Sequence, residues 1–96
     1  MAGYKLSRKA SQDLDIIYEY GIITFGHNQA KSYLLGLEEN FTRLSKSPGI
    51  GKKSNLRIAN LYQFQFKAHT IFFHKEDMGV RILRILGSKM DFEKHL

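Results

Sequence analysis

The sequence predicts an α+β domain: an N-terminal short strand, then an antiparallel helical hairpin packed on a small, mainly antiparallel sheet, in the order β-α-α-β-β-β. Three observations lead there. Tyr62, Phe64 and Phe66 alternate with Gln63, Gln65 and Lys67, a period of two that places aromatic rings on one face of a half-buried strand and polar groups on the other. Apolar side chains recur at spacings of three and four from Ala10 to Phe25 and again from Ala30 to Leu44, as two amphipathic helices require. Three runs of apolar, β-branched and aromatic residues then follow one another between Asn60 and Leu86, with breaks too short for a parallel crossover.

Taken in order, Tyr4-Lys5-Leu6 is a short alternating segment, read as an edge strand that joins the later sheet. Ser7 caps a first helix whose stripe is Ala10, Leu14, Ile17, Tyr18, Gly21 and Phe25, with Gln12, Asp15 and Glu19 opposite. Gly26 is placed to close that helix in a left-handed conformation, and Asn28 is the candidate cap of a second helix with the stripe Ala30, Leu34, Leu37, Phe41 and Leu44. So short a link makes the helices antiparallel. The second must stop before Pro48, which disfavours helix in the residue ahead of it. Residues 50–58 show no periodicity and read as a loop. Strands follow at 62–66, 69–74 and 80–86, with a break at Lys67-Ala68 and a hairpin turn within Lys75 to Gly79.

A chain of 96 residues with 43% hydrophobic composition supports one core, and the whole of 1–96 is read as a single domain. With no cysteine it has neither a disulfide framework nor a thiolate metal site. No apolar run nears the roughly 20 residues that span a bilayer. The opening Met1-Ala2-Gly3-Tyr4-Lys5 leads into no signal-type apolar segment, so no membrane association is expected and the cytoplasm is the expected compartment. Fifteen Lys and Arg against nine Asp and Glu leave a charge of +6, which favours an anionic partner.

No chemistry-bearing constellation stands out. His27, His69, His74 and His95 show no metal-type spacing, and His69 and His74 fall on opposite faces of a strand. There is no phosphate-binding glycine loop and no nucleophile turn. Asp13, Asp15, Glu19, Glu38 and Glu39 read as solvated helix faces or partners of Lys and Arg, so no catalytic residue, metal site or cofactor is expected. The basic set Lys52, Lys53, Arg57, Arg81, Arg84, Lys89 and Lys94 has two readings: contact with phosphates, or plain ion pairing, with Arg81 and Arg84 joined to Glu76, Asp77 or Asp91. Ile16, Tyr20, Ile23 and Leu35 fall off the main stripes and are either scattered surface residues or a partner-binding patch.

An ordered set of short motifs runs through nearly the whole chain: Leu6-Ser7, Ala10 and Asp13-Leu14, Ile17 and Tyr20, Pro48 with Ile50-Gly51, and Arg57 before Tyr62 and Phe64. His69 with Ile71-Phe72-Phe73, Arg84-Ile85-Leu86, Lys89-Met90-Asp91-Phe92 and His95-Leu96 complete it. In this combination the chain resembles the ParE branch of the RelE/ParE toxins of bacterial toxin–antitoxin modules. The resemblance implies a toxin that poisons DNA gyrase by stabilising its cleaved DNA complex, meeting DNA only within that complex and blocking replication. It also implies neutralisation by a cognate acidic antitoxin, ParD-like, whose flexible half wraps the toxin in a hetero-oligomer. The positive charge and spare apolar groups suit a segment that folds on binding.

Antitoxin-binding candidates are Ile16, Tyr20, Ile23, Leu35 and Arg57; candidates for the toxic surface are Arg81, Arg84, Lys89, Met90, Asp91, Phe92 and His95. The alternative function is that of RelE-like relatives, which cleave mRNA on the ribosome with basic side chains on the sheet and a tyrosine or histidine near the C-terminus. This chain has no tyrosine after Tyr62, and Gly87 stands where many relatives carry histidine. For the tail Gly87 to Leu96 two readings stay open: a toxic surface with apolar anchors, or Met90, Phe92 and Leu96 folding back over the core.

Overall fold

The computed structural model describes residues 3–96; Met1 and Ala2, part of the opening read above as no signal segment, lie outside the described residues. The elements are β1 (Gly3–Leu6), α1 (Arg8–Phe25), α2 (His27–Lys46), a 3-10 turn (Pro48–Ile50), β2 (Lys52–Lys53), β3 (Tyr62–Phe66), β4 (His69–Glu76), β5 (Gly79–Gly87) and α3 (Phe92–His95). They build one five-stranded sheet of order β1-β5-β4-β3-β2, with β1 parallel to β5 and every other pair antiparallel. The α+β class and the strand–helix–helix–strand–strand–strand order stand as read from the sequence.

The helical hairpin covers one face of the sheet. Ala10, Leu14, Leu37, Phe41 and Leu44 meet Ile71, Phe73, Val80, Ile82 and Ile85 in a dry cluster, with Tyr4 tilted against Phe41 at 5.2 Å between ring centres. Ser7 caps α1 by accepting from the Ala10 amide at 2.9 Å. Gly26 takes φ +89°, where an L side chain is strained, and its amide closes α1 on the Ile22 carbonyl. At Gly79, with φ +138°, a Cβ would run into the Gly3 carbonyl of the neighbouring strand.

The opposite face carries a smaller cluster of Leu61, Phe72 and Leu86, joined by Leu56, Leu83, Phe92 and Leu96. Phe92 from α3 meets Phe72 edge-on at 4.9 Å, so the tail folds back over this face through Phe92 and Leu96, whereas Met90 stays 41% exposed. A bulge lets both faces stay apolar. Phe72 pairs with Arg84 but Phe73 with Ile82, leaving Leu83 as an extra residue in β5.

Several sequence expectations are corrected. Asn28 does not cap α2: the helix starts at His27, and Gly26 serves as its boundary without a side-chain cap. Phe25 closes the α1 stripe in sequence but is 60% exposed, because as the last residue of α1 it has no further turn of helix to cover it. Residues 50–58 are not all loop, since Lys52 and Lys53 pair with Gln63 and Tyr62 as a fifth strand too short to show a period. The β4 and β5 strands extend to Glu76 and from Gly79, narrowing the hairpin turn to Asp77-Met78. Asp13 is buried rather than solvated.

Candidate functional site

Asp13 explains how the sheet, the first helix and the tail are held together. The parallel pairing of β1 with β5 ends at Leu6 opposite Ile82, so beyond it β5 has a free backbone edge. Ser7 donates from its hydroxyl to the Leu83 carbonyl at 2.7 Å, and the Ile85 amide donates to Asp13 Oδ2 at 3.0 Å. Side chains of the first helical turns thus continue the ladder that β1 leaves unfinished, as buried backbone groups demand. Arg84 then reaches round the edge: Nε donates to Asp13 Oδ2 at 2.8 Å and Nη2 to Oδ1 at 3.0 Å, a two-pronged contact. Its remaining arm, Nη1, donates to the backbone carbonyl of His95 in α3. The hydrogen bonds to Asp13, together with its charge, raise the guanidinium pKa above its ordinary value, against an opposing effect of burial. Arg84 is therefore joined to Asp13 rather than to Glu76, Asp77 or Asp91; Arg81 does pair with Glu76, at 3.0 Å on the surface.

The tail candidates divide accordingly. Phe92 and Arg84 are turned inward and fix α3, while Lys89, Met90, Asp91 and His95 are exposed. Asp91 caps α3 by accepting from the Glu93 amide, and the Gly87 amide meets Met90 Sδ at 3.2 Å. Arg57, proposed from sequence beside the helical residues, instead sits on the tail side, lining a cavity of about 440 Å³ with Leu56, Ile58, Glu93 and Leu96.

A second surface lies on the hairpin. Ile16, Tyr20 and Ile23 are exposed along α1, Ile23 to 86%. Ile16 and Tyr20 edge a groove of about 570 Å³ between the helices and the β3–β4 turn. Its floor is Ile17, Gly21 and Ala30, where the two helices approach closely enough that a Cβ on Gly21 would sit 3.1 Å from that of Ala30. Tyr33, Ala68 and His69 form one wall, and Phe25 and Gln29 also line it. The Tyr33 hydroxyl is 2.6 Å from His69 Nδ1. Burial pushes the His69 pKa below its ordinary 6.5, with the field of Asp13 acting the other way, and burial raises that of Tyr33. Leu35 is exposed on α2 outside this lining.

Sequence reasoning found the rim of the groove and missed Phe25, Tyr33 and His69. A trace of the last two was present, for Tyr33 precedes Leu37 by four residues and so flanks the α2 stripe. Among the described residues there is no group of three or more His, Cys, Asp or Glu side chains able to hold a metal ion, and no helix is long and apolar enough to cross a membrane.

Comparison with known proteins gives a consistent picture. Residues 4–92 match the family model described as the ParE toxin of the type II toxin–antitoxin system parDE. A curated relative, Toxin ParE1 of Caulobacter vibrioides, is 30% identical over 96 residues, covering 100% of this chain and 99% of its own. Among solved structures, the chromosomal ParDE toxin–antitoxin system of P. aeruginosa contains a chain that superposes with a TM-score of 0.77 at 22% identity, covering 91% of this chain and 96% of that one. A chain of the toxin–antitoxin complex RelBE2 of Mycobacterium tuberculosis follows at a TM-score of 0.65 and 20% identity, covering 90% and 96%; at such identities the two structures speak for the fold alone.

Proposed function

The chain belongs to the ParE toxin family of type II toxin–antitoxin systems, and on that footing we propose that it acts as a poison of DNA gyrase, held in check by a cognate acidic antitoxin, and is not an enzyme. The observation that carries this reading is the family match across residues 4–92. The state of Arg84 supports it. Cleavage of mRNA by a RelE-like relative calls for basic side chains of the sheet that are free to meet phosphate, and here Nε, Nη1 and Nη2 of Arg84 all have protein partners. Arg81 is shared with Glu76.

In this reading the toxic surface is the tail, with Lys89, Met90, Asp91 and His95 presented outward beside Arg81. Phe92 and Arg84 hold it in position. An apolar thioether flanked by charges on a short fixed element suits a protein pocket next to DNA better than it suits proton transfer. The antitoxin occupies the helical face at Ile16, Tyr20, Ile23 and Leu35, and its acidic segment continues toward Arg57 on the far side of the sheet. Membership of a toxin family defined by its type II toxin–antitoxin system supports a partner of this kind.

The test sets the purified protein against gyrase with supercoiled plasmid, and separately against translating ribosomes. Trapped double-strand breaks in the first and intact message in the second are expected. Codon-dependent cutting of message with gyrase unaffected would replace this reading by the ribonuclease one.

A further inference from the structure

The antitoxin reading leaves one feature of the helical groove without a purpose: a hydrogen-bonded Tyr33–His69 pair set into a mainly apolar lining whose other polar side chains are Tyr20 and Gln29. Docking of an aliphatic or aromatic side chain calls only for apolar walls. An imidazole placed there makes the surface sensitive to protons.

The geometry defines the neutral state. At 2.6 Å against 3.4 Å for the Phe66 carbonyl, His69 Nδ1 is the better-placed acceptor for the Tyr33 hydroxyl proton, and the tautomer that uses it carries the imidazole proton on Nε2. The rings meet edge-on at 5.4 Å, and Tyr33 packs on Phe66 at the same separation. Protonation at Nδ1 reverses the bond. The Tyr33 hydroxyl must then accept, and its own proton is left with the Phe66 carbonyl at a long 3.4 Å.

The groups facing His69 do little to offset the new charge. From α2 come Tyr33 and, elsewhere in the groove, the uncharged Gln29; α1 contributes Tyr20 as its titratable lining residue, and from β5 the register partner is Gly87, which has no side chain. Asp13 on α1 acts from a distance, its charge already matched by Arg84. In the adjoining turn Lys67, stacked over Phe66 at 5.3 Å, adds a like charge. Water in the open groove can solvate the imidazolium, but a partner seated over Ile16, Tyr20 and His69 excludes that water, and an ion buried against apolar groups is strongly disfavoured.

We propose that occupation of the helical groove is coupled to deprotonation of His69, so that the groove is a proton-sensitive lock which holds its partner at neutral pH and loosens it in acid. The proposal rests on the reading that the antitoxin covers this groove and adds its regulation. The sign follows from linkage. A His69 whose pKa is lower in the complex than in the free toxin binds fewer protons when occupied, so affinity is full above the free-toxin pKa. It falls by up to about tenfold for each pH unit below that, until the pKa of the complex is reached.

The experiment measures affinity of the full-length toxin for its cognate antitoxin by titration calorimetry from pH 7.5 to 5.5, together with the NMR titration of the His69 ring free and bound. Because burial already holds the free His69 pKa below 6.5, the wild type should lose up to about fivefold between pH 6.5 and 5.5. His69→Gln, which cannot ionise, should flatten the toxin-side part of the slope, and His27→Gln, His74→Gln and His95→Gln should keep it. Tyr33→Phe removes the donor that favours neutral His69 and should move the onset of weakening to higher pH, which keeps the test valid if His69→Gln folds poorly. An unchanged slope in His69→Gln, or a His69 pKa no lower in the complex than in the free toxin, overturns the proposal. Unchanged affinity at pH 7.5 on replacing both Ile16 and Ile23 by serine would instead show that the antitoxin lies elsewhere, a failure of the antitoxin reading that the NMR titration tells apart.

Discussion

Removing the Asp13 carboxylate tests the account of how this fold is closed. Asp13→Ala deletes the acceptor of three hydrogen bonds at once, those from Arg84 Nε, Arg84 Nη2 and the Ile85 amide. The two side chains are only 16% and 10% exposed, so little solvent screening applies. Breaking a buried ion pair from one side costs about 3 to 5 kcal/mol, and an unpaired buried amide about 1 to 3 kcal/mol. These overlap, and Arg84 keeps its bond to His95 and some access to water, so a net loss of about 3 kcal/mol is expected. Against a total of roughly 5 to 14 kcal/mol for a domain of this length, the variant stays folded but loses a large share of its margin. At about 4 to 8 °C per kcal/mol for such a domain, the melting temperature should fall by roughly 12 to 24 °C. Thermal and urea denaturation followed by circular dichroism give the number, with Asp15→Ala, on the exposed face of the same helix, as the control within about 0.5 kcal/mol. The double variant Asp13→Ala with Arg84→Met should recover part of the loss, since an apolar pair leaves no stranded charge. If Asp13→Ala costs no more than Asp15→Ala, the edge-closing role assigned to Asp13 is wrong.

Other outcomes follow from the same geometry. Exchanging Ile16 and Ile23 for serine should weaken antitoxin binding by about 2 to 4 kcal/mol, below the about 3 to 6 kcal/mol of two fully buried aliphatic side chains because a partner covers each on one side only, with the melting temperature unmoved because both are exposed in the free protein; calorimetry and a melt read the two. Gly79→Ala introduces a Cβ at φ +138° against the Gly3 carbonyl and should cost more than the about 1 kcal/mol of an ordinary substitution, checked by urea titration. Phe92→Ala removes the edge-on partner of Phe72 and should destabilise by about 2 kcal/mol, below the about 3 to 5 of a fully buried phenylalanine because Phe92 is only partly covered. Lys89→Ala with Met90→Ala should instead leave stability within about 0.5 kcal/mol while lowering gyrase trapping. A truncation after Ser88 combines the two effects, so it should both loosen the fold and abolish trapping.

The helices and β3 were legible because each buries one face, and burial writes its period into the chain, whereas β4 and β5, covered on both faces, were legible as apolar, β-branched and aromatic runs between breaks. The stripes from Ala10 to Gly21 and from Ala30 to Leu44, and the alternation at Tyr62, Phe64 and Phe66, needed nothing but that rule. What stayed hidden depends on where elements end relative to one another. Asp13 follows Ala10 by three residues and precedes Ile17 by four, so its place beside the buried stripe was visible; that a strand edge would lie open opposite it was not, because no local pattern gives the register that sets Leu6 against Ile82 and leaves the rest of β5 unpaired. Lys52-Lys53 is too short to carry a period, and its pairing is set by the course of β3. The groove likewise arises from two helices and a turn, so Ile16 and Tyr20 could be picked out as surplus, while Tyr33 carried no signal of its own and His69 stood out only as a histidine without metal spacing and as part of the family pattern.

The extra residue at Leu83 bears on how this protein tolerates changes in length. In a regular strand, deleting one residue turns every later side chain over to the other face of the sheet. In β5, Ile82 and Ile85 both point under the helices although three positions apart, and Leu83 and Leu86 both serve the smaller cluster. Removing Leu83 would bring Arg84 and Ile85 into plain alternation after Ile82, leaving Ile85, Leu86 and the whole tail on their present sides. The bulge thus makes this spot in β5 one where a single-residue deletion is neutral in phase, at the cost of the carbonyl that Ser7 holds. The same deletion at Val80 or Ile85 would send the tail to the wrong face.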